Sequence, residues 1–294
     1  MLSEYRYMDA DLLSQKLEDA LYDHLEDTIK SSKGHTEELH ISQPDEKLLG
    51  RIAKEHKDFS SCFYDKETAE DVILNALVYT EDKIVDWLQK RHSDFADQRN
   101  YQQFVVSLDM GGGEPIGRGF NNRLQEIESP AVKIVLQRDF DYDTPFGFYV
   151  KSAYVDIAHP HAELTGVEYT REQVLEMDGV TFDSPLEETA FLYQNAFPDT
   201  NIRYGIDQNY QEFIKLSFHE DNKLINAFIT PTDIKIKELT SGDRVKRLQI
   251  KDMPEKFQEQ LSVISHTLKL KMKLKEQQQT RLQPSTALED DLER

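Results

Sequence analysis

Two imidazoles, a guanidinium and two hydroxyls in this chain have the types and spacings for proton transfer beside a phosphodiester. His35 and His40 lie five residues apart just ahead of a helix start, and Arg51 follows eleven residues after the second. Far downstream, Ser152 and Tyr154 are two apart in the run 146–154, so on a strand they share one face. Histidine suits the proton work because its unperturbed pKa is about 6.5. Arginine suits the phosphate work because its planar fork grips two oxygens and keeps its charge. Cleaving RNA without a metal needs such parts: a base for the 2′-hydroxyl, an acid for the departing 5′-oxygen, and donors around the phosphorane. Taken singly these groups are common, and most are solvated or capping. Types alone identify nothing.

The elements that would position them can be read from periodicity. Leu13, Leu17, Ala20, Leu21, Leu25 and Ile29 recur at helical spacing and predict an amphipathic helix over about 9–29. Ser42-Gln43-Pro44-Asp45 reads as a helix start, with Ser42 capping, and the helix behind it carries Arg51 and turns Leu48, Leu49 and Ile52 inward. Asp65 caps a further helix, Thr80 opens the next, and Trp87 on that one reads as core. After Asn100 the pattern shortens to β runs at 104–108, 116–120, 132–136 and 146–154, the first two returning across Gly111-Gly112-Gly113. Helices followed by antiparallel strands predict an α+β, RNase A-like domain over 1–160. A second small α+β domain follows over 161–276: short helices from Thr170 and Ser184, hairpins at 212–230 and 234–250, and a closing helix over 254–276. Residues 277–294 are polar, end acidic, and read as a disordered tail.

Composition narrows the classes. With 294 residues and 38% hydrophobic content the chain can bury two cores. No run of eighteen apolar residues exists to span a membrane, and Met1–Arg6 lacks the form of a signal peptide. The single cysteine, Cys62, excludes an intramolecular disulfide, suits a reducing cytoplasm, and reads as a small buried side chain. The net charge of −20 repels nucleic acid at long range and counts against any RNA-acting reading. The charge is uneven: residues 235–275 hold eleven Lys/Arg against five acids, whereas 1–160 hold 31 acids against 18 bases. The basic stretch reads first as the solvated face of a hairpin and helix, ahead of contact with RNA or with the acidic half.

The order of segments carries more weight than any single one. Gly34-His35-Thr36, His40-Ile41, Leu48-Leu49-Gly50-Arg51, and Ser61-Cys62-Phe63-Tyr64-Asp65 running to Ala69 follow one another as in a known bacterial family. Together with Trp87, the strand at 132–136 and Ser152-Ala153-Tyr154, they resemble the RNase A-like toxin domain at the C-terminus of contact-dependent growth inhibition proteins of the CdiA type. The resemblance spans about residues 33–155. It implies that His40 is the catalytic imidazole, Arg51 the phosphate-binding cation, and Ser152 and Tyr154 the hydroxyl partners, with His35 a second histidine of the opening motif. Lys151 and Arg138 are expected to contact substrate. Ser152 stands where the family has threonine, and Val155 where it has proline.

The function implied is ribonuclease action on RNA, tRNA included, by 2′-O-transphosphorylation in interbacterial competition, with no metal and no cofactor. The place of action is the bacterial cytosol, after delivery into a target cell. The partner implied is an immunity protein, or the C-terminal half acting as an attached inhibitor. The rival is a non-catalytic binding or immunity-type protein on the same scaffold. Other constellations are weaker. Asp139–Asp143 imitates a calcium loop but has Thr144 and Val150 where glycine and glutamate are needed, so it reads as a polar turn. Asp156, His159, His161 and Glu163 could ligate a metal, but read first as an exposed linker around Pro160.

Overall fold

The computed structural model describes residues 8–29, 34–109, 113–140, 147–220, 223–240 and 244–282. It divides into two compact units, Met1–Val180 and Thr181–Arg294. The boundary expected at 160/161 is therefore corrected. Strand Glu163–Glu168 pairs with Gln125–Ser129 and stays with the first unit.

The first unit opens with α1 (Ala10–Ile29), α2 (Thr36–His40), α3 (Asp45–Glu55), β1 (Phe59–Phe63), α4 (Lys66–Tyr79) and α5 (Glu81–Gln89). It continues through α6 (Gln98–Gln102), β2 (Gln103–Asp109), β3 (Gly117–Asn121), β4 (Gln125–Ser129), β5 (Ala131–Arg138), β6 (Phe148–Val155), β7 (Glu163–Glu168) and α7 (Arg171–Leu175). Helices then antiparallel sheets give the α+β class that periodicity predicts. One sheet has the order β1-β3-β4-β7, the other β2-β5-β6.

The core lies between α1, α4, α5 and the β2-β5-β6 sheet. It buries Leu17, Leu21, Leu77, Ile84 and Trp87 against Ile134, Leu136, Phe148 and Val150. Each such side chain contributes about 1.5–3 kcal/mol by leaving water. Asp65 caps α4 as expected, accepting from Thr68 N–H at 2.7 Å. Ser42 does not cap α3. It has φ +49°, donates to Tyr64 O, and leaves Pro44 at the cap position.

Two pairings differ from expectation. β3 pairs with β1 and β4 rather than returning on β2, and β2 pairs with β5. Strand β1 has no periodic signature: Phe59-Ser60-Ser61-Cys62-Phe63 reads as the approach to a helix, yet it is a strand buried from Ser60 onward. Gly117 and Gly119 of β3 make that pairing close, since a Cβ there would meet Cys62 O at 2.3 Å and Ser60 O at 2.4 Å. Of the glycine turn, Gly111 and Gly112 lie outside the described residues, as do 141–143 of the expected polar turn.

The second unit contains α8 (Pro185–Tyr193), β8 (Thr200–Ile206), β9 (Glu212–Glu220), β10 (Lys223–Ile229), β11 (Ile234–Thr240), β12 (Arg244–Leu248) and α9 (Glu255–Leu282). Its strands form one antiparallel sheet in the order β12-β11-β10-β9-β8. Both helices pack on one face, where Ile214, Leu216, Ala227 and Ile236 meet Leu186, Phe257, Leu261 and Ile264. The closing helix runs on to Leu282, which corrects the expected disorder from residue 277. Residues 283–294 lie outside the described residues. Among the described residues no helix is long and apolar enough to cross a membrane.

Candidate active site

The histidine-bearing turn is stitched to the edge of one sheet. His35 N–H donates to Lys151 O at 3.2 Å, and Thr36, fully buried, accepts from Ala153 N–H through Oγ1 at 2.9 Å. Both bonds go to β6, an edge strand whose outer backbone groups would otherwise be unpaired. Two residues past α2 the chain joins the other sheet, where Ser42 N–H donates to Phe63 O at 3.0 Å and Ile41 bridges Phe63. His40 thus sits between a strand of each sheet.

That seat fixes its chemistry. His40 is 7% exposed, and its Nδ1 lies 3.0 Å from Ser61 O. A carbonyl can only accept, so Nδ1 carries the proton and Nε2 keeps the lone pair. Burial pushes the imidazole pKa down to about 4, and the positive charges of Arg51 and Lys57 add to the shift against the Ser61 bond. The ring centroid lies 5.7 Å from that of Tyr154 and 6.0 Å from that of His35. His35 is also lowered, by burial first and then by Arg51 and Lys151. Both imidazoles are therefore neutral at pH 7.

Arg51 supplies much of that field. It lies on α3, whose N-terminal Asp45 is held by Arg118 at 2.6 Å and by the Tyr169 hydroxyl at 2.7 Å. Its Nη1 donates to Leu39 O at 3.3 Å, next to His40. Nε is buried without a hydrogen-bond acceptor among the described residues, although Glu55 approaches to 3.5 Å. The Glu55 carboxylate pairs with the charge without closing a hydrogen bond, so Nε keeps its donor capacity for another acceptor.

A bulge in β6 aims the hydroxyls. Val135 pairs with Ser152 and Leu136 with Val150, so Lys151 is an extra residue in the ladder. Without it, strict alternation would put Ser152 and Tyr154 on the face of Phe148 and Val150, which is core. With it, Ala153 and Val155 take over the core face, both fully buried, while Ser152 and Tyr154 turn the other way beside Val135 and Lys133. The bulge also places the Lys151 side chain near His35, as the effect on that ring records. Burial raises the Tyr154 phenol, opposed by Lys133 and reinforced by Asp156.

The structure thus gathers His35, His40, Arg51, Lys151 and Tyr154, with Ser152 on the Tyr154 face. Arg138 does not join them. It is 2% exposed, lies between the Trp87 and Tyr101 rings, and donates to Tyr101 O at 2.8 Å, Leu88 O at 3.4 Å and Trp87 O. Its charge satisfies carbonyls at the end of α5, so the expected contact with substrate is corrected to a scaffold role. Lys57, Lys133 and the Ser61 carbonyl were missed by sequence reasoning, because each reaches the site through strand pairing or a turn. Cys62 is free and buried, as expected, and its thiol donates to Gln43 O at 3.7 Å. His159 and His161 gain a neighbour the sequence could not show. Asp109 lies 2.7 Å from His161 Nδ1 and 3.9 Å from His159 Nε2, a cluster formed by the end of β2 and the segment that follows β6.

Residues 34–154 match the family model described as Bacterial CdiA-CT RNAse A domain. The resemblance read over about 33–155 therefore stands, and the match points to a ribonuclease of the toxin type over those residues. Among solved structures, the chain is similar to the crystal structure of a CdiA-CT/CdiI complex from Y. kristensenii 33638. The identity is 21% and the TM-score 0.33, over 40% of this chain and 93% of that one. No curated protein matches.

Proposed function

We propose that residues 34–154 cleave RNA by 2′-O-transphosphorylation without a metal ion. His40 Nε2 takes the proton of the 2′-hydroxyl, whose oxygen attacks phosphorus. The P–O5′ bond breaks, Tyr154 gives its proton to the departing oxygen, and the products are a 2′,3′-cyclic phosphate and a 5′-hydroxyl. Arg51 holds the non-bridging oxygens, Ser152 orients the phosphate, and Lys151 and Lys133 neutralise charge at either side. His35, whose ring centroid lies 6.0 Å from that of His40, passes the proton on, and Lys133 supports the transient phenolate.

The observation that carries this reading is the His40 seat. One ring nitrogen is locked by Ser61 O, and the ring lies beside the phenol and within the field of an arginine whose Nε is unbonded. The site would act in a bacterial cytosol, and the CdiA-CT/CdiI neighbour supports an immunity protein as the partner. The test is digestion of total RNA and tRNA by the purified protein in EDTA, with end-group analysis of the products. Cyclic phosphate ends that disappear with His40→Ala are expected. RNA left intact by both proteins ends the reading in favour of a binding protein on this scaffold, the alternative that the net charge of −20 supports.

A further inference from the structure

The sheet of the second unit has one face covered by helices and one open. Ile214, Leu216, Ala227 and Ile236 are buried under α8 and α9, so their sequence neighbours point the opposite way. On that open face Arg203 stands opposite Lys215, Lys215 opposite Phe228, and Phe228 opposite Lys235. These four form a row across β8, β9, β10 and β11. In the next row Lys237 stands opposite Arg247. Phe213 meets Phe228 edge to face at 5.6 Å, and the Lys215 and Lys237 ammonium groups lie 6.0 and 5.4 Å from the Phe228 ring. Neither phenylalanine belongs to the buried core.

This arrangement works against the fold. Like charges directly opposite on neighbouring strands repel, and Arg203–Lys215 and Lys237–Arg247 are two such pairs. The chain as a whole carries 55 acids against 35 bases, yet no acid stands among the described open-face strand positions. Among the described residues, the carboxylate paired with one of these cations is Asp233 in a turn, 4.0 Å from Lys235. A polyanion laid across the rows would relieve the repulsion. An acidic protein could do that as well, but the two rings between the cations favour a ligand with flat faces to stack on them. Single-stranded nucleic acid combines both, because every base has such a face and every linkage a phosphate.

We propose that the open face of the β8–β12 sheet binds single-stranded RNA, with phosphates along the two cationic rows and bases on the Phe213–Phe228 pair. This surface is built from other residues than the His40 site and does not depend on that site being catalytic.

The test is an anisotropy titration of the full chain with a fluorescent 2′-O-methyl oligoribonucleotide, which lacks the nucleophilic hydroxyl and so cannot be cleaved. An Arg51→Gln background keeps the first unit's phosphate contact out of the signal. The triple variant Arg203→Gln/Lys215→Gln/Lys237→Gln is expected to bind at least tenfold more weakly. Its salt dependence should be shallower by about two, at roughly 0.7 per lost contact. Its melting temperature should hold or rise, because repulsive pairs are gone. Phe228→Ala should weaken binding about fivefold or more. Affinity unchanged in both variants, no binding by the parent chain, or displacement by polyglutamate that is indifferent to Phe228 would each overturn the proposal, the last in favour of an acidic protein partner. Dinucleotide cleavage, measured with Arg51 intact, should be equal in the triple variant and the parent. If the parent cleaves neither the dinucleotide nor total RNA and tRNA, the ribonuclease reading fails while this one stands or falls on the titration.

Discussion

The two units use charge in opposite ways. In the first, a few polar groups are withdrawn from water and fixed by backbone atoms: His40 by Ser61 O, Thr36 by Ala153 N–H, Arg138 by carbonyls at the end of α5. In the second, cations lie in rows on an open sheet face, and their nearest cross-strand neighbours include one another. The contrast separates two physical demands. Chemistry at one bond needs a small number of groups with set protonation states, which burial and hydrogen bonding provide. Hold on a long polymer needs many weak contacts, each dispensable and each screened by salt.

The comparison can be broken most sharply at His40. Substitution by alanine should lower the cleavage rate at least ~100-fold while leaving binding of the uncleavable oligonucleotide unchanged. A parallel loss of both would show that one surface does both jobs. Next in size is the response to pH. Between about 6.5 and about 4 the unfolded chain protonates the His40 ring while the folded protein does not. Stability therefore falls as pH falls through that window, by up to about 3 kcal/mol, and levels off below it. Urea unfolding from pH 7 to 4 measures this, and His40→Gln should remove that component. For the same reason the acid limb of kcat/KM should lie near 4 rather than near 6.5.

Arg138→Met should cost about 2–3 kcal/mol in denaturant unfolding, since it strands buried carbonyls. Below the melting temperature the dinucleotide cleavage rate should not change, as befits a scaffold cation. The smallest effect belongs to the second unit. Lys235→Gln alone should move stability by less than ~0.5 kcal/mol and oligonucleotide affinity by about twofold. A tenfold loss there would mean that the open face depends on one anchor, and the contrast would dissolve.

The legible part of the candidate site is the part written locally. His35, His40 and Arg51 lie within seventeen residues, and their spacing ahead of and along one helix is visible in the chain. Ser152 and Tyr154 share a face because they are two apart, but alternation alone would have buried that face. The bulge at Lys151 is set by pairing with β5, which spacing cannot reveal. Arg138 looked like a substrate cation because a lone arginine near a strand end gives no sign of the carbonyls that await it. Strand β1 was hidden by its two serines, whereas β8 was readable in hindsight: Ile202, Tyr204 and Ile206 alternate with polar or small residues. The basic stretch 235–275 looked like solvated lysines because its partners Arg203 and Lys215 come from strands further back in the chain.

The extra residue in β6 has an evolutionary consequence. Loss of the single codon for Lys151 would leave Phe148, Val150, Ala153 and Val155 in regular alternation, so the interior would survive intact. What would vanish is the carbonyl that receives His35 N–H and one cation beside the His35 ring. One deletion would thus separate two things the chain now carries together, a packed interior and the arrangement of groups around His40.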